Sequence, residues 1–221
     1  MNSEFIFFRP KSKGHGAVNR QELLIKYLIK KKEIINILTL EKEKFPLNLN
    51  ARVTNIKFNN FAKKNGLFRW ILLLVSTIYI VENTSSRSFK LIAFSDYESI
   101  IFKIASLIIK FKETYLKILF KKNDLTKSSK FHIIFFSRGD IVEIFKTNHP
   151  SNSFIKKIVI NIMIFYYNKI QHLAISCSST YLVQMNFLKE KIKKRHNTNK
   201  NIFVLKNNII ELKNNKNENS E

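Results

Sequence analysis

Phe5-Ile6-Phe7-Phe8-Arg9-Pro10-Lys11-Ser12-Lys13-Gly14-His15-Gly16 joins a continuous apolar run to two closely spaced glycines. A short run that is apolar at every position reads as a strand buried on both faces, the signature of a parallel sheet. The 221 residues include only 4 glycines. Three of them follow an apolar run and precede helix-like sequence: Gly14 and Gly16 here, and Gly139 after Phe131–Phe136 in Ser137-Arg138-Gly139-Asp140. Gly66 alone falls in a predicted loop. Glycine permits positive φ and close backbone approach. In an open α/β sheet those demands arise at the carboxyl ends of strands, where ligands bind.

The same alternation extends in both directions. Asn19–Lys32 places Leu23, Leu24, Tyr27 and Leu28 on one helical face. Ile34–Leu40 and Arg52–Phe58 read as strands, Leu67–Val81 as a strongly apolar helix, and Phe89–Phe94 as a fourth strand. Ser95 or Asp96 can cap the next helix, with Glu98 in its first turn. That helix is expected to reach Phe111 and to continue toward Lys121 after a break. Phe131–Phe136 is the fifth strand and Ser153–Tyr167 a further helix. Leu173–Cys177 reads as a sixth strand, with Ser178 or Ser179 capping a helix from Tyr181 to Lys194. Ile202–Leu205 is the seventh strand. The pattern predicts a Rossmann-like α/β domain, a parallel sheet flanked by helices, over residues 1–210. Residues 211–221 form a polar tail, expected to be disordered. An all-helical bundle is the structural alternative.

Lysine and arginine number 39 against 16 aspartate and glutamate, a net charge of +23. Such a field favours anionic partners. The basic residues are dispersed, in groups such as Lys30–Lys32 and Lys193–Arg195, with no basic tail, zinc spacing or aromatic RNA-binding signature. Nucleic acid is therefore a poor partner, and solvated lysine faces or an anionic membrane surface fit better. Leu67–Val81 is interrupted by Arg69 and falls short of the ~20 residues needed to span a bilayer, so contact with a membrane is expected to be peripheral. The lone Cys177 cannot form an intrachain disulfide and fits a reducing, cytoplasmic setting, as a buried structural thiol. Met1–Phe8 contains Glu4 and no basic leader, so no secretory signal is expected. No His/Cys/Asp/Glu spacing suggests a metal site, and His132 and His172, beside apolar runs, read as packed core histidines.

The order of elements resembles the N-terminal domain of GT-B glycosyltransferases, in their family-4-like branch. Phe8–Arg20 resembles the family's first glycine-containing loop, and Leu28-Ile29-Lys30-Lys31-Lys32 its helix end before the second strand. Leu91-Ile92-Ala93-Phe94-Ser95-Asp96 corresponds to the fourth strand and its loop, and Ile133–Asp140 to the strand carrying a His-Gly-Asp or Arg-Gly-Asp turn. Gln171–Ser178 resembles the strand that closes the domain, and Asn201–Ile209 the exit to a second domain. Lys206 and Asn208 replace the usual proline and glycine of that exit, and Arg138 stands where many relatives have histidine.

The resemblance implies an acceptor-side half, acting on a glycan or lipid-linked acceptor and inactive alone. The nucleotide-sugar donor would bind a C-terminal domain that this sequence does not supply, so no cofactor is expected in this chain. Asp140 is the expected base toward an acceptor hydroxyl and Arg138 a phosphate or acceptor contact. Gly14, His15, Gly16, Asn19, Ser95, Asp96 and Gly139 are the expected substrate-facing residues. The glycines do not form Gly-x-Gly-x-x-Gly, because position 19 is Asn, and no Walker lysine follows, which disfavours dinucleotides and ATP. The rival reading is a non-catalytic basic protein held at a membrane surface or on nucleic acid.

Overall fold

The computed structural model describes residues 3–8, 17–39, 52–55, 66–120, 128–137, 139–149 and 153–205. In chain order the elements are β1 (Glu4–Phe8), α1 (Ala17–Lys30), β2 (Ile34–Thr39), β3 (Arg52–Asn55), α2 (Gly66–Glu82) and β4 (Ser88–Ala93). There follow α3 (Asp96–Phe120), β5 (Lys130–Phe136), α4 (Ile141–Asn148), α5 (Phe154–Cys177), β6 (Thr180–Val183), α6 (Asn186–His196) and β7 (Ile202–Val204). The strands form one parallel sheet in the order β3-β2-β1-β4-β5-β6-β7. The fold is α/β and Rossmann-like.

Register follows from the apolar runs. Phe7 of β1 lies opposite Ile37 of β2 on one side and Ile92 of β4 on the other. Alternate residues face opposite layers. Phe5, Phe7, Ile35, Ile37 and Ile92 pack against Ile25 and Leu28 of α1. Ile6, Phe8, Leu91, Ile133 and Phe135 join the other core, filled by Leu73 of α2, Phe102 of α3, Ile175 of α5 and Ile192 of α6. The chain runs outward from β1 to β2 and β3, then returns to β4 on β1's other side. In open sheets of this kind, ligands usually bind at the carboxyl ends of the strands where the order reverses, here β1 and β4.

Several boundaries differ from expectation. Leu173–Cys177 is the end of α5, not a strand: Gln171, Ala174 and Ile175 are buried at helical spacing. A five-residue apolar run suits either period, and here the three-four spacing wins. The sixth strand is Thr180–Val183, where a helix was expected; α6 starts later, at Asn186. Ser178 therefore ends a helix, its N–H bonding the carbonyls of Ala174 and Ile175, and the Ser179 hydroxyl accepts the Ile133 N–H. α3 runs unbroken to Phe120. Helix α4 was not anticipated, and Gly66 opens α2 rather than lying in a loop. His132 and His172 are exposed, not core residues, and Cys177 is only half-buried. Leu40, residues 56–58 and the polar tail lie outside the described residues.

The C-terminal end of α5 is held by a cation distant in sequence. Lys200 Nζ donates to the carbonyls of Ile175 (2.5 Å), Ser176 (2.7 Å) and Ser178. These are among the carbonyls a helix end leaves unpaired, and an ammonium there also meets the negative end of the helix dipole. Lys200→Met should therefore cost about 1–2 kcal/mol. Urea unfolding should show a lower midpoint with an unchanged slope. Among the described residues no helix is long and apolar enough to cross a membrane.

Candidate functional site

At the end of β4, Ser95 Oγ accepts the Glu98 N–H (3.3 Å) and Glu98 Oε2 accepts the Phe94 N–H (2.7 Å). This reciprocal pattern is close to a capping box and starts α3 sharply. Asp96 is thereby held in the first turn of α3, at the carboxyl end of β4. Its Oδ1 is buried without a hydrogen-bond partner. Burial raises the Asp96 carboxyl to about 6, against a smaller lowering from its own backbone N–H. Beside it, the Tyr97 ring stacks on Trp70 of α2 at 5.4 Å, and Trp70 lies 6.2 Å from Phe8, the last residue of β1. The Tyr97 and Tyr166 hydroxyls are 3.0 Å apart.

One strand further on, the Ser137 N–H bonds the Leu182 carbonyl of β6, and the Ser137 hydroxyl donates to the Gly139 carbonyl. A Cβ on Gly139 would stand 3.3 Å from Ile144 Cδ1, so glycine serves close approach at this turn. Asp140 then caps α4. Its Oδ1 accepts the Val142 N–H (3.2 Å) and a bond from the Arg195 guanidinium. Its Oδ2 is buried without a hydrogen-bond partner, the Lys191 ammonium standing off at 3.7 Å. Glu143 completes the cluster, receiving Arg195 Nη2 at 3.2 Å and Lys191 Nζ at 3.3 Å. Two acidic residues of the β5–α4 segment therefore meet two cations of α6.

A pocket of about 260 Å³ opens between the starts of α4 and α6. Gly139, Asp140 and Glu143 line one side, and Met185, Phe187 and Lys191 the other. Lys191 Nζ lies 5.5 Å from the centre of the Phe187 ring, so a cation and an aromatic face share that wall. The volume is below the roughly 300–1,000 Å³ typical of drug-sized ligand sites. It has room for one small ring rather than a dinucleotide. Tyr181 of β6 is fully buried. Burial raises its phenol well above the ordinary value, against a lowering by Ser137, and the charges of Asp96 and Asp140 add to the rise.

Ser95, Asp96, Gly139 and Asp140 thus come together at the carboxyl ends of adjacent strands. Asn19 lies in the first turn of α1. Gly14, His15, Gly16 and Arg138 are outside the described residues. Glu143, Lys191 and Arg195 were missed. Their signal was present as Asp140-x-x-Glu143 and Lys191-x-x-x-Arg195, spacings that put each pair on one helical face. It is readable only once α4 is recognised and α6 is known to start at Asn186.

No protein-family model matches this chain, and no curated protein matches it.

Proposed function

We propose that the chain is the acceptor-side half of a GT-B-type glycosyltransferase, binding a hydroxyl-bearing glycan or glycolipid at the carboxyl edge of β4–β6. The observation that carries this reading is a pair of carboxylates on adjacent strand ends, half-buried Asp96 and buried Asp140, each with one buried, unpartnered oxygen. A buried acceptor without a donor is costly. A sugar supplies hydroxyl donors for it and a C–H face for Phe187 and Met185.

The two carboxylates divide the work. Asp140 Oδ1 is committed to Val142 and Arg195, which leaves Oδ2 to accept a hydrogen bond from a bound hydroxyl. In this proposal Asp140 therefore binds the acceptor, and the base role expected of it from sequence passes to Asp96. Asp96 is more basic than an ordinary carboxylate yet still largely ionised at neutral pH, the condition for a general base. As the acceptor oxygen bonds to the anomeric carbon, its proton passes to Asp96 and the nucleoside diphosphate leaves with the electron pair of the broken C–O bond. Cations on the donor-side domain would stabilise that leaving group. Contacts from Gly14, His15, Gly16, Asn19 and Arg138 rest on the sequence resemblance alone.

Turnover tests the reading. Residues 1–221 alone should neither bind nucleotide sugars tightly nor transfer them, because donor and acceptor are not held together. Fused after Asn208 to a donor domain of the same fold, the chain should glycosylate short alkyl glycosides. Asp96→Asn should then lower kcat by about 10²–10⁴-fold with little change in acceptor KM, whereas Asp140→Ala should mainly raise that KM. Calorimetry showing tight nucleotide-sugar binding to the isolated chain, or an Asp96→Asn fusion with full kcat, would refute the assignment.

A further inference from the structure

Three neighbouring helices turn apolar side chains away from the core. α3 packs between α2 and α5, and the layer rests on the sheet through residues such as Leu73, Phe102 and Ile175. Its outer side is apolar as well. On α3, Ile104, Leu107, Phe111, Tyr115 and Ile118 recur at three- and four-residue spacing and are all exposed, Phe111 by 75%. α5 repeats the pattern with Phe154, Ile158, Ile162 and Phe165, and α2 with Leu67, Ile71 and Val75. A helix that is apolar all round is normally buried. An apolar surface this continuous over three helices marks an interaction face.

Charge selects the occupant. α5 contains Lys156, Lys157 and Lys169 and no acidic residue. On the other two helices, Glu82 pairs with Lys112 at 2.7 Å, and Glu98 and Glu113 accept inward hydrogen bonds from Phe94 and Ser129. Lys169 Nζ lies 5.3 Å from the centre of the Phe165 ring, so an ammonium accompanies the apolar stripe. A second copy would bring another +23 against the same face, which opposes self-association. Nucleic acid would satisfy the lysines and leave the stripes wet.

We infer that the outer faces of α2, α3 and α5 form a plane that docks on an anionic lipid bilayer. The apolar stripes enter the headgroup region and the flanking lysines meet lipid phosphates. The helices lie along the sheet, so docking holds the carboxyl edge roughly one helix diameter, ~10 Å, above the lipid. This inference goes beyond the sugar-transfer reading and does not depend on it.

The test is co-sedimentation of the full chain with vesicles of phosphatidylcholine alone or mixed with phosphatidylglycerol. Binding should require phosphatidylglycerol and weaken as salt rises. Two independent double variants, Ile162→Glu with Phe165→Glu on α5 and Phe111→Glu with Ile118→Glu on α3, should each weaken it by at least about tenfold. Phe203→Glu should not: Phe203 is 52% exposed on β7, between Ile202 and Val204, which face the helical layer. Failure of the wild-type chain to bind the mixed vesicles would overturn the inference, as would wild-type binding by both double variants. A solution dimer or an oligonucleotide complex lost in both double variants would assign the plane to that partner instead.

Discussion

Asp96→Asn should make the protein more stable while removing the chemistry proposed for it. The carboxyl of Asp96 sits at about 6 in the fold against 3.8 when free, because its charged form is desolvated. Between those values the native state holds the proton and the unfolded state does not, so stability falls as pH rises through the window. At pH 7 the whole penalty is present, about 2 kcal/mol once partial solvent access is allowed for. Asparagine keeps the shape and discards the charge. Thermal unfolding at pH 7 should shift upward by about 4–8 °C, the usual response of a chain this size. Stabilisation on removing a charge is the expected sign of a residue kept for function. An unchanged or lower Tm would mean that Asp96 is already satisfied in the native state.

The second large effect concerns pH and is hidden in the unaltered protein. His196 is buried, with Nε2 2.9 Å from Gln171 Oε1 and its ring 5.6 Å from that of His172. Burial lowers it from 6.5 to about 4; His172 and Arg195 push the same way, and Asp140 opposes them. The unfolded chain therefore takes up this proton first, and stability falls as pH drops from about 6.5 through 4, by about 2 kcal/mol once partial solvent access is allowed for. Asp96 contributes the opposite slope over nearly the same window. The wild-type chain should show a shallow dependence from pH 4 to 6. Asp96→Asn should expose a steep one, with stability rising with pH, and adding His196→Gln should flatten it again. Parallel urea titrations of the three proteins decide the matter: equal slopes would contradict both assignments.

Much of the sheet is legible in the sequence because its strands are apolar on both faces. Phe5–Phe8, Ile34–Leu40, Phe89–Phe94 and Phe131–Phe136 all lie within one or two residues of strands in the fold. The region after Pro150 is different. Helix α5 carries Phe154, Ile158, Ile162 and Phe165 outward while burying Ala174 and Ile175, so its sequence has little amphipathic contrast. Without that contrast, Leu173–Cys177 looks like any short buried strand, and the true strand two residues later is absorbed into the next helix. α4 is only 8 residues long and follows a Ser-Arg-Gly-Asp stretch that reads as a turn.

The site was legible in its local parts and not in its long-range ones. Ser95, Asp96 and Glu98 announce a helix start by type and spacing. The burial that perturbs Asp96 is set by tertiary packing, and no local pattern encodes it. Asp140 carries a clear signal as a strand-end acid, yet its partner Arg195 is 55 residues away. The ion pair between Arg195 and Asp140 joins α6 to the start of α4, and no local pattern encodes it.

The unpartnered carboxylate oxygens at this edge are proposed to bind a polyhydroxyl ligand. Backbone amide NMR of the full chain, titrated with an alkyl glycoside, tests it most directly. Saturable shifts should appear at Gly139–Ile144 and Gln184–Lys191, and Asp140→Ala should abolish them while leaving the amides of α1 in place. Shifts confined to other surfaces, or none up to the highest glycoside concentration, would contradict the account.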